Sequence, residues 1–313
     1  MNETQLIKTL REQSGAGMMD CKKALEATSY NLDEAVDWLR KKGLAAAAKK
    51  SGRTAAEGLV VVAASACGKK AAVVEVNAET DFVARNPQFQ EMVSKIGEAA
   101  LTTNNRDDLL QANVDGKTVD ATIQSAIAVI GENMSLRRME RFEVSEGVVA
   151  TYMHSATAPG LGRIGVLVAL ESKAPQDALL ELGKKIAMHV AAAAPRSLLV
   201  ADLDQADVER EKAVLIDQAK ASGRPDDVIQ KMVEGRLRKF YEEVVLTEQA
   251  FVMDGKTRVA DVVAEAGKLL GTPVTLKAFA RYQLGEGIQK ESSDFAAEVA
   301  AQAGTCAVKS CAV

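Results

Sequence analysis

The chain predicts an α+β fold preceded by a three-helix module. Three observations carry that prediction: helical periodicity over residues 2–43, a strand, turn, strand, helix order that occurs twice after it, and a charged helical insertion in the second copy. Composition sets the frame. With 313 residues, 47% of them hydrophobic and 26% charged, the chain has length and apolar content for two or three domains. Aromatics make up only 4% and alanine is abundant, which favours helices packed through small residues.

Residues 1–43 form the first expected domain. Leu6, Leu10, Met18, Cys21, Leu25, Ala35, Val36 and Leu39 recur at helical spacings, and Ser14-Gly15-Ala16-Gly17 separates the first two helices. Asn31 is placed to cap the third, with Glu34 at the reciprocal position of a capping box. Gly43, after Lys41-Lys42, is the expected stop. Of the adjacent pair Met18-Met19 a helix uses only one on its core face, so the other should be exposed as an adaptable contact.

Residues 44–56, rich in Ala, Lys, Ser and Gly, read as a linker, part helical. Core subdomain 1 then spans 57–145. Glu57-Gly58-Leu59-Val60-Val61-Val62 and Ala71-Ala72-Val73-Val74-Glu75-Val76 are strands around a turn at Gly68-Lys69-Lys70, and a helix follows with Phe89, Met92, Val93, Ile96 and Ala100 on one side. Core subdomain 2, residues 146–290, repeats the order from the same Glu-Gly start, with a helix over about 176–193. Each copy closes on a similar third strand, 131–142 against 271–282, opened by glycine and ended by a basic-aromatic pair. A duplicated unit follows, each hairpin and third strand forming a small antiparallel sheet covered by helices.

The insertion covers about 202–245. Val208, Leu215 and Ala219 precede a break at Ser222-Gly223-Arg224-Pro225, and Val228, Met232, Leu237 and Phe240 follow it. That pattern suits an antiparallel coiled-coil hairpin, which buries little of its own surface. Residues 291–313 are expected as an amphipathic helix over 294–301 and a frayed tail.

Several function classes lose support. A formal net charge of −4 argues against a general nucleic-acid surface. No apolar run reaches the roughly 18 residues of a membrane span, and the first residues lack a signal-like apolar region, so a cytoplasmic protein is expected. Cys21, Cys67, Cys306 and Cys311 lack C-x-x-C spacing, and His154 and His189 are the only imidazoles, so neither a metal site nor a cofactor is expected. Phosphate-cradling glycine motifs are absent; Gly160-Leu161-Gly162 lies in a hairpin turn. His189 reads as a satisfied helix histidine, and Glu79 with Asp81 need not converge on one substrate. No small-molecule substrate and no enzyme activity are expected.

The stretch from Val73 to Asn86 stands apart. It starts as a strand and breaks into Thr80-Asp81-Phe82-Val83, leaving a large aromatic beside a carboxylate at the strand exit. Two readings stay open: Phe82 turns back under the sheet as core, or it is exposed as an anchor for a partner's pocket.

Ordered segments along nearly the whole chain resemble one family. They are Ser14-Gly15-Ala16-Gly17-Met18-Met19-Asp20-Cys21-Lys22-Lys23-Ala24-Leu25, Thr80-Asp81-Phe82-Val83-Ala84, Ile130-Gly131-Glu132-Asn133, Ile186-Ala187-Met188-His189-Val190-Ala191-Ala192, Met232-Val233-Glu234-Gly235-Arg236, Phe251-Val252-Met253 and Gly285-Glu286-Gly287-Ile288. The similarity is to elongation factor Ts, the bacterial guanine-nucleotide exchange factors for elongation factor Tu. It implies a UBA-like docking module at 1–43 and a heterodimer or higher assembly with the GTPase. It further implies that Thr80, Asp81, Phe82 and Val83 enter the GTPase domain near its magnesium site, with the aromatic as a wedge. Met18, Met19, Lys22, Ile130, Gly131, Val252 and Met253 match further partner contacts. His154 matches a histidine ahead of the second hairpin turn, although that turn, 155–162, is longer than the family's. A non-catalytic scaffold is the rival reading.

Overall fold

The computed structural model of the chain describes residues 2–14, 16–220 and 225–289. Helices α1 (Glu3–Ser14), α2 (Met18–Ala27) and α3 (Leu32–Lys50) come first and close on Leu10, Cys21, Ala24, Leu25 and Ala35. Asn31 caps α3 as its sequence predicts. Its side-chain oxygen accepts from the amides of Asp33 (3.1 Å) and Glu34 (3.3 Å). Glu34 returns the bond to the Asn31 side chain at 3.0 Å, not to its backbone as a capping box would.

After it come β1 (Glu57–Ala64), β2 (Lys70–Ala78), α4 (Pro87–Ala100), α5 (Arg106–Gln111), the short β3 (Asn113–Val114) and β4 (Lys117–Thr118), α6 (Val119–Ile130) and β5 (Met134–Glu143). The second copy runs β6 (Gly147–Ala158), β7 (Leu161–Glu171), α7 (Gln176–Ala193), α8 (Gln205–Lys220), α9 (Asp226–Val244), α10 (Val259–Leu270) and β8 (Thr275–Gln283). Gly43 does not stop α3. It is buried, and a Cβ there would lie 2.7 Å from Cβ of Ala128 on α6, so glycine lets two helices approach closely. That packing offsets the roughly 1 kcal/mol a mid-helix glycine costs.

In each copy the second hairpin strand is central. Antiparallel β2 pairs with β1 and β5, and antiparallel β7 with β6 and β8. The two units join where β1 meets β7, Val60 opposite Gly162 and Val61 opposite Leu161. Strand alternation then sorts the side chains into layers. Leu59, Val61, Val74 and Val76 share a core with Phe89, Val93, Ile123 and Ile127 of the first copy's helices. Val148, Val166, Val168 and Leu170 do the same with Leu179, Ile186, Val190 and Val263. The residues between them, Val60, Ala71, Val73, Val149, Leu167 and Ala169, form a third cluster that the two sheets share. Helix, sheet, sheet, helix is the result. Gly165 permits the sheet contact, since a Cβ there would come within 2.7 Å of Val60 and 3.0 Å of Val73.

The paired glycines at the start of the third-strand segments have another role than opening a strand. Gly131 (φ +88°) and Gly271 (φ +68°) are left-handed caps that end α6 and α10. The hairpin β6–β7 also differs from expectation. Both strands extend, leaving Pro159-Gly160 as the turn, so the extra residues lengthen the ladder and not the loop.

Helices α8 and α9 pack as a hairpin whose buried residues, Leu215, Ala219, Ile229 and Val233, with Val208 and Val244 nearer its base, belong to clusters drawn, among the described residues, from 200–245 alone. Val208, Leu215 and Ala219 are where the periodicity puts them. In α9 the buried face is one residue later than expected: Ile229 and Val233 are buried, while Val228 and Met232 are half-buried. The series Ile229, Val233, Leu237, Phe240, Val244 is a regular helical stripe, which the mixed spacing concealed. The expected helix at 294–301 and the tail with Cys306 and Cys311 lie outside the described residues.

Candidate partner-binding surface

Strand β2 ends at Ala78, and the next eight residues carry the chain into α4. Phe82 is 77% exposed there, while its neighbour Val83 is 3% exposed and inside the first copy's core. Exposure of a phenylalanine on a floppy loop would mean little; this loop is held at both ends. Glu132 accepts from the Thr80 amide at 2.9 Å and from its hydroxyl at 2.7 Å, filling both carboxylate oxygens. Glu79 accepts from the Asn133 amide at 2.6 Å, so the two loops exchange carboxylate bonds reciprocally. Downstream, a single 3₁₀ turn (Val83–Arg85) leads into α4, whose free amides Asn86 caps at Gln88 (2.9 Å) and Phe89 (3.4 Å), with Pro87 at the first helical position.

The α6–β5 turn that supplies Glu132 is tied to the end of α3. Lys50 donates through Nζ to the Gly131 carbonyl, and the Asn133 side chain donates to the Arg53 carbonyl at 2.7 Å. Thr80, Asp81, Phe82, Ile130 and Gly131 are therefore one surface, with Val83 packed beneath it rather than on it. Ile130 and Gly131 are half-buried in it.

A second exposed apolar tip lies between α9 and α10. Val252 and Met253 are 49% and 47% exposed, directly after Phe251, which is buried among α7 and α10 residues. Asp254 closes the turn by accepting from the amides of Lys256 (2.9 Å) and Thr257 (3.0 Å). A third patch is on α2. Met18 and Met19 are 60% and 64% exposed. Both face outward, against the expectation that Met18 belongs to the module's core, because that core begins one turn later at Cys21.

Comparison with known proteins then decides the family. The family model described as Elongation factor TS matches residues 79–286. Elongation factor Ts of Rhodospirillum centenum is 60% identical over 303 residues, covering 96% of this chain and 98% of that protein. The Rhodospirillum rubrum protein of the same name is 60% identical over 301 residues, and that of Brucella ovis 58% over 299, each covering 95% of this chain and 97% of the relative. The chain belongs to the elongation factor Ts family. Its role is accordingly that of a translation elongation factor.

Within this family member, the remaining site residues fall in separate places. Lys22 on α2 is bracketed by Glu3 (3.5 Å) and Glu26 (3.8 Å) on the exposed module surface. His154 is exposed on β6, opposite Ile164, with its Nδ1 3.2 Å from the Tyr152 hydroxyl. Asp81 is exposed, whereas Glu79 turns toward Asn133 and Arg53. The two carboxylates do not converge, as their spacing suggested. Among the described residues no cluster of His, Cys, Asp and Glu could hold a metal ion, and no helix is long and apolar enough to cross a membrane.

Glu132 and Glu79 are the residues that sequence reasoning left without a role. A carboxylate in the first positions after a helix-capping glycine was the available signal. It reads as solvated surface until a second loop is placed against it.

Proposed function

We propose that this chain is the guanine-nucleotide exchange factor for elongation factor Tu. It binds the GDP-loaded GTPase, displaces Mg²⁺ and GDP, and stabilises the empty form until GTP enters, in the cytoplasm and without covalent chemistry of its own. The observation that supports this best is Phe82, 77% exposed on a loop pinned by Glu132, Glu79, Val83 and Asn86. An aromatic held out in this way loses little conformational freedom when it enters a pocket, which is the property of an interface anchor.

Exchange follows from linkage. A protein that binds the empty GTPase more tightly than the loaded one weakens nucleotide affinity by the same factor. Phe82 supplies apolar bulk that competes for space, and Asp81 a charge beside the metal, with Thr80 and Val83 holding both in place. Met18, Met19, Lys22, Ile130, Gly131, His154, Val252 and Met253 supply the additional affinity.

The test is release of fluorescent GDP from elongation factor Tu. Phe82→Ala should keep its circular dichroism and melting temperature while slowing stimulated release on the order of 10- to 100-fold. Release as fast as with the parent chain would refute the wedge. Binding without any acceleration, by the parent chain itself, would instead make the protein a scaffold.

A further inference from the structure

His189 lies on α7, 1% exposed, and its two ring nitrogens are bound on opposite sides. The Val252 amide donates to Nδ1 at 3.1 Å. An acceptor at Nδ1 places the proton on Nε2, which is 2.9 Å from the Gln249 side-chain oxygen. The Gln249 side-chain nitrogen donates in turn to the Glu243 carbonyl at 2.7 Å, near the end of α9. The Phe251 ring sits 5.7 Å from the imidazole, centroid to centroid. One neutral histidine thus ties α7, the base of the helical hairpin and the tip carrying Val252 and Met253.

We infer that His189 is a positioning residue for the Val252–Met253 contact: its Nδ1 fixes the backbone amide from which the two exposed side chains project. The inference rests on the reading of Val252 and Met253 as partner contacts. Burial explains the histidine's satisfaction, but not why its acceptor meets this amide. Phe251 holds the loop to the core, and Asp254 closes the turn beyond the tip. Among the described residues, the hydrogen bond given for the tip's first residue is the one that its amide donates to His189. Without an acceptor the part-buried amide is left unpaired or turns toward water, taking the tip with it.

Two substitutions separate this role from core filling. Asparagine places its side-chain oxygen where Nδ1 was and keeps the acceptor; glutamine reaches the Nε2 position and keeps the donor toward Gln249. Both lose packing, so His189→Asn and His189→Gln should lower the melting temperature similarly. Affinity for elongation factor Tu should divide them. His189→Gln is expected to bind about tenfold more weakly, the effect of one part-buried amide that loses its acceptor, and His189→Asn within about twofold of the parent. Equal losses in both, or none in either, would overturn the inference. If affinity is unchanged in Val252→Ala/Met253→Ala, the contact reading has failed instead. Should neither histidine variant fold, ¹⁵N spectroscopy of the parent chain decides, because an Nδ1–H tautomer at neutral pH contradicts the geometry.

Discussion

Phe82 and Val83 are adjacent, yet one is solvent-exposed and the other is core. The difference comes from Glu132, which holds Thr80 by two bonds and so sets the rotation of the chain where the aromatic emerges. Removing that carboxylate by Glu132→Ala leaves the Thr80 amide and hydroxyl without their partner and frees the loop, a loss of about 1–2 kcal/mol. GDP release stimulated by Glu132→Ala should be several-fold slower than by the parent chain. In a Phe82→Ala background the same substitution should change nothing further, since a residue that acts through Phe82 has no effect once Phe82 is gone. Additive losses in a double-mutant cycle would mean that Glu132 touches the partner independently.

His189 makes a second prediction at this scale. Burial holds its pKa below the ordinary histidine value, against the opposing hydrogen bond that Nε2 donates to Gln249. The unfolded chain therefore takes up its proton first, near pH 6.5, while the folded chain remains neutral. Above about pH 7 the histidine contributes no pH dependence. Below about pH 6.5 stability should fall as pH falls, by up to about 1.4 kcal/mol per unit for the one proton, until the folded imidazole also titrates. Urea unfolding at pH 7.5 and 5.5 measures this, and His189→Asn should lose the difference attributable to the ring. The sequence showed both residues without their partners: Phe82 was legible as an aromatic out of place, but its exposure depends on a carboxylate fifty residues on. His189 was legible as satisfied, but not as the holder of an exposed tip.

Among the elements, those specified by local pattern were legible. The hairpin strands, α4 with its buried Phe89, Met92, Val93, Ile96 and Ala100, and the cap at Asn31 all follow from periodicity and side-chain chemistry. The end of α3 was not, because a glycine that stops a helix and a glycine that admits a neighbour look alike until the neighbour is known. The face of α9 was displaced by one residue for a related reason, since Val228 and Ile229 are equally apolar and only the partner helix chooses between them. Gly43 offers the measurement. Propensity alone says Gly43→Ala should stabilise by about 1 kcal/mol. With Ala128 2.7 Å from the new methyl, neither helix able to yield without moving its backbone, that gain should vanish. Gly43→Val should lower the melting temperature outright. A gain of the full propensity value by Gly43→Ala would show that α3 and α6 are not in tight contact.

For the molecule as a whole, the duplication predicts two sheet units but not how they meet. Their contact depends on Gly165 and on a short pairing of β1 with β7, tertiary details with no periodic signature. The buried Glu75 adds a polar joint. It takes Arg137 at 3.0 Å, Arg138 at 2.6 Å and the Gly285 amide at 2.9 Å, fastening the segment after β8 to the first copy's sheet. Burial alone would raise its pKa; the Gly285 amide, Arg138, Asn77 and Arg137 together lower it.

The uninterrupted α3 has a consequence that concerns phase. Its first half belongs to the three-helix cluster and its last residue grips Gly131, beside the loop that carries Phe82. A helix transmits rotation as a geared shaft does. One residue inserted after Lys41, between the two packed halves, turns the module by about 100° and advances it by about 1.5 Å relative to Phe82. Met18 and Met19 would then face a different quarter, with every core contact intact. Such an insertion should leave thermal stability nearly unchanged and reduce affinity for elongation factor Tu to that of Met18→Ala/Met19→Ala. Titration of both variants against the GTPase checks it, and an insertion that binds like the parent would mean that the methionines and Phe82 need not engage together.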